Sequence, residues 1–316
     1  MAVSLQYLSK QPGQGMKAVK KTNYLIEFSL LGLLAILWGS SYFLLKIAVS
    51  EIPPLTLIAI RATIAALFLQ AILIHRKESL PRDCKTRRQL LVQAFFNAIG
   101  AWTILAWGQQ YVDSGLASVL NSTSPIFVFL YTFLFTRHES TTALKFFGAC
   151  LGLLGVVLII GVDVLAGLGQ QVAGQMAALA GAMLYGYAAI YGKRFSNLSS
   201  TVTATGTMIW SAIVLIPASL LIDQPWNLDP TTNAILAALA LGIFSTAFAL
   251  LIYFRLIKTL GSMGVASQAY LRVAIAVALG VIFLDERITL VVGIGLMTAI
   301  AGVALINLPQ RSLATK

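Results

Sequence analysis

The chain has 316 residues, of which 58% are hydrophobic and only 10% are charged, and its formal net charge is +11. Soluble domains carry about 25% charged residues, so this chain has too few charges to cover a water-facing surface. Most of its surface must therefore face lipid, and we expect an all-α integral membrane protein that forms one compact bundle. Its two cysteines, Cys84 in a basic loop and Cys150 in an apolar stretch, do not imply a disulfide framework.

Apolar stretches of about 20 residues, the length that crosses a bilayer as a helix, recur along the chain. They are separated by residues that end helices or lie in water, such as Pro53-Pro54 and the charged segment 75–88. The predicted spans are 26–46, 55–75, 89–110, 115–136, 144–162, 172–192, 203–222, 233–256, 262–284 and 288–307. The sequence thus predicts ten transmembrane helices.

The basic residues are distributed unequally between the two sides of the predicted bundle. If the amino terminus is cytoplasmic, 18 of the 22 basic residues lie on the cytoplasmic side. The exceptions are Lys46 and Arg287 on the opposite side, and Arg61 and Arg272 within spans. This asymmetry follows the positive-inside rule and predicts that both termini are cytoplasmic. The basic surplus is then a matter of topology and lipid headgroups, so we expect the bilayer, and no nucleic acid, as a partner.

An internal repeat relates the two halves of the chain at an offset of 147 residues, so that Trp38 corresponds to Tyr185 and Asn121 to Gln268. Each half contains five spans, and an odd number turns the second half upside down in the membrane. Inverted repeats of this kind are typical of secondary transporters, whose ligand site lies near the midplane between the halves. The predicted division is a cytoplasmic segment 1–25, a first five-helix repeat 26–162, a connecting loop 163–171, a second five-helix repeat 172–307 and a cytoplasmic tail 308–316.

Arg272 is the first candidate for ligand binding, because it lies about ten residues into span nine, or about 15 Å deep. An arginine at the bilayer centre costs roughly 2.5–3.5 kcal/mol on insertion scales, so we expect it to face a cavity. The predicted spans place no Asp or Glu at comparable depth. A guanidinium group can bind a carboxylate through two parallel hydrogen bonds, which indicates a site for a ligand carboxylate. The alternative is a structural arginine bonded to helix carbonyls.

A polar ring is predicted from spans four and nine. Pro125 removes the hydrogen bond that would reach the carbonyl of Asn121, so this carbonyl must find another partner or line water. Ser124 lies on the same span, and Gln268 lies one turn before Arg272. The alternative is that these side chains only hold helices together. The aromatic residues predicted to line the same cavity, with lipid contact or core packing as the alternative, are Trp38, Tyr42, Trp102 and Tyr185.

Two further features have structural interpretations. Arg61 lies only about 9 Å from the outer end of span two, a distance that a long side chain can reach, so we expect a structural or topological role, with a functional role as the alternative. Small residues in spans five and ten would let these two helices approach closely within one protomer, so we expect a monomer, with a dimer face as the alternative. These small residues are Gly148, Gly152, Gly155, Gly295, Ala299 and Gly302.

Four segments carry a family resemblance: LWGSSYFLLK, IAIRATIAALF, GLASVLNSTSPIFVFLYTFLF and FLDERITLVVGIGLMTAIAGVALI. They resemble the drug/metabolite transporter superfamily, EamA type, over about residues 26–307, and most closely the YddG-like aromatic amino-acid exporters. The resemblance implies a secondary transporter of the bacterial inner membrane. It would export small solutes, foremost amino acids with aromatic or apolar side chains, by alternating access. The family expects proline at the repeat equivalent of Pro125, and Arg272 stands there, which indicates a specialised ligand.

Other functions remain open at this point. Export of other metabolites or of drugs is the alternative within the superfamily, but efflux of cations would demand an embedded carboxylate, and span one has none between Phe28 and Lys46. An intramembrane enzyme would need a nucleophile beside a base, or paired metal ligands, at depth. The predicted spans offer neither. We therefore expect no enzyme activity, no cofactor and no metal site.

Overall fold

The computed structural model describes residues 24–112, 114–135, 142–161, 165, 168, 171–275 and 289–308. All regular structure in these residues is helical. The helices are α1 (Tyr24–Val49), α2 (Pro54–His75), α3 (Cys84–Gly108), α4 (Ser114–Asn121 and Ser124–Phe135), α5 (Ala143–Ile160), α6 (Val172–Gly192), α7 (Ser200–Ile222), α8 (Thr232–Thr259), α9 (Gly261–Ala266 and residues 268–275) and α10 (Leu290–Asn307).

The helices lie where the apolar stretches predicted them, with ends that differ by a few residues. Within the described residues, seven helices are long and apolar enough to cross a membrane: α1, α2, α3, α5, α7, α8 and α10. The chain is therefore a multi-pass helical membrane protein. Length and composition do not fix the direction in which a helix crosses, so the ten-span inverted topology stays a prediction.

Helix starts coincide with residues that satisfy free backbone N–H groups. The side chain of Asp83 accepts a hydrogen bond from the Thr86 backbone at 2.7 Å where α3 begins. Ser199 and Thr231 cap α7 and α8 in the same way. Pro54 opens α2, where a missing N–H costs nothing. These loop residues fix where each apolar helix starts.

Carboxylates join the two halves at both ends of α1. At one end, Asp223 accepts hydrogen bonds from the backbone and the hydroxyl of Thr56, both at 2.7 Å. Glu51, which follows α1, accepts from the backbone of Thr231 at 2.6 Å. At the other end, Glu27 pairs with Arg255 at 2.8 Å. Each of these contacts connects a residue of the first half to one of the second.

Three helices depart from regular geometry near the middle of the bundle. In α3 and α8 the backbone widens into π-helical segments, Phe95–Ile99 and Ile243–Phe248, at nearly equivalent positions of the two halves. In α4 the helix breaks between Asn121 and Ser124, just before Pro125. The predicted free carbonyl of Asn121 accepts a hydrogen bond from the Ser124 hydroxyl at 2.6 Å. Such interruptions expose backbone polar groups at membrane depth, so each must be satisfied locally.

The predicted packing of the small residues is confirmed, because α5 and α10 lie in close contact along their length. A methyl group added to Gly155 would lie 2.4 Å from the backbone nitrogen of Ala299. One added to Gly302 would lie 2.5 Å from the backbone nitrogen of Gly152. The absence of side chains at these positions is what allows the two backbones to touch.

Replacing Gly155 with alanine should destabilise the protein, because its new methyl group would overlap backbone atoms that cannot rotate away. We expect a loss of about 1–3 kcal/mol, measured as a lower midpoint of thermal unfolding in detergent. Gly32→Ala is the matched control, since a methyl group at Gly32 would have no neighbour within 4 Å. Equal midpoints for the two variants would show that α5 and α10 separate readily.

Candidate ligand cavity

A cavity of about 80 Å³ lies between helices of both halves. One water needs about 10–15 Å³, so the cavity has room for several waters or part of a small solute. Seven helices contribute to its walls: α1, α2, α3, α4, α6, α8 and α9. The lining residues are Trp38, Ser41, Leu45, Ile58, Arg61, Trp102, Leu105, Ala106, Gln109, Asn121, Ser124, Tyr185, Ala189, Tyr253, Ala266, Gln268 and Arg272.

Seven of the eight residues predicted from the sequence to bind ligand line this one cavity. They are Trp38, Trp102, Asn121, Ser124, Tyr185, Gln268 and Arg272. The eighth, Tyr42, belongs to α1, but its side chain is outside the described part of the structure. The structure thus brings the predicted polar ring and the predicted aromatics together, while their role in binding stays a prediction.

Arg61 lies elsewhere than its depth along span two suggested, although its contacts are compatible with the expected structural role. Its side chain does not extend to the outer surface but turns into the bundle, where only 6% of it is exposed. The Nε group donates to the Thr246 hydroxyl at 2.5 Å, and Nη2 donates to the Ser245 carbonyl at 3.1 Å. Its guanidinium carbon lies 4.1 Å from the centre of the Trp102 ring. These contacts offset the loss of hydration, so the charge is held inside the protein rather than at the surface.

Both hydrogen-bond acceptors of Arg61 lie in the π-helical segment of α8. A π turn shifts the hydrogen-bond register by one residue, so a carbonyl within it can be left open to other donors. Here the Ser245 carbonyl accepts from Arg61 and also from the indole Nε1 of Trp38 at 3.0 Å. The Thr246 hydroxyl accepts from Arg61 while it donates to the Leu241 carbonyl at 2.8 Å. Side chains of α1 and α2 are therefore both fixed on one turn of α8.

Aromatic side chains form much of the remaining wall. The rings of Trp38 and Tyr253 lie 5.3 Å apart between centroids and are inclined by 47°. Both residues are buried, as is Trp102. Tyr185 lies on α6 at the repeat equivalent of Trp38, and it lines the cavity from the other half. This wall offers flat apolar surface to a ligand.

Polar groups of α4 and α9 complete the cavity. Gln268 is only 7% exposed, and its side chain makes no hydrogen bond to any described residue, although its oxygen is fully enclosed. Asn121, at the equivalent position of α4, is buried nearby. The backbone of Arg272 lies against Gly39, where a methyl group would be 3.6 Å from the Arg272 carbonyl oxygen. The span-nine arginine thus reaches the cavity beside α1.

Sequence reasoning missed four polar or aromatic lining residues: Arg61, Tyr253, Ser41 and Gln109. A signal existed for Arg61, because a charged residue inside a span is costly wherever it points. Tyr253 is the repeat equivalent of Ala106, which also lines the cavity. The same repeat pairs Trp38 with Tyr185 and Asn121 with Gln268.

A bundle of membrane-crossing helices around a cavity with two guanidinium groups and an aromatic wall is typical of solute transporters. Comparison with known families agrees with this class. The model of the EamA-like transporter family matches twice, at residues 26–161 and 172–308, so the chain belongs to that family. It is accordingly a transporter.

Several individual proteins are similar over most of their length. The "uncharacterized inner membrane transporter YedA" of Escherichia coli K12 is 27% identical over 281 residues, which is 89% of this chain and 90% of the relative. The "uncharacterized transporter YoaV" of Bacillus subtilis is 25% identical, over 87% of this chain and 94% of its own. A solved crystal structure shares the fold with a TM-score of 0.73 at 20% identity, over 90% of this chain and 96% of that one.

Trp38→Phe tests the contact with the Ser245 carbonyl, because it keeps an aromatic ring against Tyr253 and removes the donor. We expect a loss of about 0.5–1.5 kcal/mol, seen as a fall of roughly 1–4 °C in the thermal midpoint. Trp226→Phe is the control, since Trp226 is 66% exposed. An unchanged midpoint for Trp38→Phe would mean that the indole hydrogen bond contributes nothing measurable to stability.

Proposed function

We propose that this protein is a secondary transporter that exports small carboxylate-bearing solutes, foremost amino acids with aromatic or apolar side chains. The observation that carries the proposal is the single cavity that combines two arginines with an aromatic wall between the two halves of the chain. The solute would pass through this cavity by alternating access.

The arginines support a carboxylate as the recognised group. Arg61 and Arg272 both line the cavity, and no lining residue in the described part of the chain is acidic. A planar guanidinium group matches both oxygens of a carboxylate. We assign the carboxylate to Arg272, and the neighbouring amides of Asn121 and Gln268 would orient the rest of the polar group.

The aromatic wall supports an apolar side chain on the solute. Trp38, Trp102, Tyr185 and Tyr253 offer ring surface within the same cavity. Aromatic pairs gain about 0.5–1.5 kcal/mol beyond the area they bury, so an aromatic solute would gain most. The preference for aromatic amino acids also agrees with the resemblance to YddG-like exporters, from which the direction of transport is taken.

The proposed topology is ten spans in two inverted five-helix repeats, with both termini cytoplasmic, in a bacterial inner membrane. Three observations support it: the family model matches each half separately, the π segments of α3 and α8 fall at nearly equivalent positions, and 18 of the 22 basic residues lie on one predicted side. The name of the Escherichia coli relative supports the inner membrane. We propose a monomer, because α5 and α10 use their small residues on each other.

Single-cysteine labelling tests this topology. In a variant that lacks Cys84 and Cys150, a cysteine at Thr231 should react in intact cells with a reagent that cannot cross the membrane. A cysteine at Arg88 should react only after the membrane is opened. Arg88 and Thr231 are both exposed in the structure, so burial within the protein would not explain a difference in labelling between the two positions. The reverse pattern would contradict the proposed orientation.

Arg272→Ala tests the carboxylate site. We expect the variant to insert and fold, since the change removes a costly charge from the membrane, and to lose most transport of phenylalanine in proteoliposomes. Loss of a hydrogen bond to a charged group costs about 1.5–3 kcal/mol, or roughly 10- to 150-fold in affinity. Arg272→Lys should recover little, because an ammonium group lacks the planar fork. Wild-type protein should also prefer phenylalanine to phenethylamine, which lacks the carboxylate.

Two results would go against this assignment. Full phenylalanine transport by folded Arg272→Ala would exclude a role for Arg272 in carboxylate binding. A variant that fails to fold, judged by gel filtration and thermal unfolding, would instead assign Arg272 to structure.

A further inference from the structure

Arg61 has hydrogen-bonding capacity that the protein does not use. A guanidinium group has five N–H donors, and the described structure occupies one on Nε and one on Nη2. Nη1 makes no hydrogen bond to a described residue, and it is not among the buried atoms that lack a partner. Because Arg61 lines the cavity, this edge of the group is open to a ligand.

The partners of Arg61 leave its charge uncompensated. All of them are neutral: the Thr246 hydroxyl, the Ser245 carbonyl and the Trp102 ring. No acidic residue contacts Arg61 in the described part of the chain. A buried cation with only neutral partners is stabilised further by an anion, so the charge favours a ligand that carries negative charge.

The carbonyls that could have received an ammonium group are already occupied. The Ser245 carbonyl accepts from both Arg61 and Trp38. The Asn121 carbonyl, which Pro125 leaves without its helical donor, accepts from the Ser124 hydroxyl. Broken helices in transporters often bind cations through such carbonyls. Here the protein's own donors fill both carbonyls, and the enclosed acceptor that stays open among the described residues is the neutral amide oxygen of Gln268.

We propose that Arg61 is a second anion-recognition group of this cavity and that Thr246 is its positioning residue. The inference rests on the proposed function and changes its ranking of carboxylate-bearing solutes, because it places anions before amino acids. The cavity recognises the carboxylate and an apolar side chain, and in its described part it offers an ammonium group only neutral acceptors close to two cations. Aromatic and apolar 2-hydroxy and 2-oxo acids, which carry a net negative charge, are therefore better ligands than the corresponding zwitterionic amino acids.

Thr246 determines where the guanidinium group lies. Its hydroxyl accepts from Arg61 Nε and donates to the Leu241 carbonyl, so it is fixed from both sides. Valine has nearly the same shape but no hydroxyl, and would leave Nε without this acceptor. Serine keeps the hydroxyl. The pair Thr246→Val and Thr246→Ser therefore separates the hydrogen bond from the packing of the side chain.

The experiment compares 3-phenyllactate with phenylalanine, which differ only in a hydroxyl group in place of the ammonium group. Affinities of the purified full-length protein are measured by calorimetry at pH 7. We expect wild-type protein to bind phenyllactate at least about tenfold more tightly, and Thr246→Val to lose about tenfold of this preference, the size of one hydrogen bond to a charged group. Thr246→Ser should retain it. Thr207→Val is the matched control, because Thr207 is buried and bonds only to the Thr203 carbonyl of its own helix.

The possible outcomes separate this inference from the proposed function. Wild-type protein that binds phenylalanine as tightly as phenyllactate, or neither compound, overturns the inference, as does a folded Thr246→Val with the full preference. If Thr246→Val does not fold while Thr207→Val does, the same affinities are measured with Arg61→Gln. If Arg61→Gln keeps the full preference for phenyllactate, the inference is overturned. Preferential binding of phenyllactate with no transport of either compound in proteoliposomes refutes the transport proposal and leaves the anion preference standing.

Discussion

The carbonyl oxygen of Ser245 holds three helices in register around the cavity. It belongs to the π-helical segment of α8, and it accepts hydrogen bonds from Trp38 of α1 and Arg61 of α2. These two bonds hold α1 and α2 on the same turn of α8, and each hydrogen bond to the buried cation is typically worth about 1.5–3 kcal/mol. This one irregular turn fixes Trp38, which is part of the aromatic wall, and Arg61, which carries the buried charge.

Acidic side chains lie at the ends of helices, whereas the charged side chains that line the cavity are basic. Carboxylates that the structure describes at helix ends, among them Glu27, Glu51, Asp83 and Asp223, are satisfied by N–H groups or by Arg255. The cavity has arginines instead. Since opposite charges attract strongly where water is excluded, this arrangement keeps acids away from the cavity and leaves its positive potential for a ligand.

Much of this arrangement could be predicted from the sequence, and the reason differs from feature to feature. Helix positions followed from the length of the apolar stretches, and the contact of α5 with α10 followed from the spacing of Gly148 and Gly152 with their equivalents. The direction of the Arg61 side chain could not be predicted, because the position of a residue along a span gives its depth but not the side of the helix that faces the protein interior. The direction of its side chain depends on the π segment of α8, which leaves no mark that spacing rules detect.

The repeat separates the cavity residues that occur in both halves from those that occur in only one. Aromatic and amide residues occur in both halves of the cavity, as Trp38 with Tyr185 and Asn121 with Gln268. The arginines do not repeat, since the equivalent of Arg61 is Met208 and that of Arg272 is Pro125. Met208 is fully buried in the core. Under the proposed function, the two related halves would rearrange in the same way at either membrane face, whereas the charges that would select a ligand occur once.

The two arginines come from different halves, Arg61 from the first and Arg272 from the second. Under the proposed function, an anionic ligand that contacts both would be bound most tightly when the two halves close on it. A ligand shifts a conformational equilibrium only as far as it binds one state better than another. A zwitterion would weaken this effect, because its ammonium group is repelled by the same two cations. The placement of one arginine in each half would therefore couple recognition of a negative charge to the movement that carries the solute across the membrane.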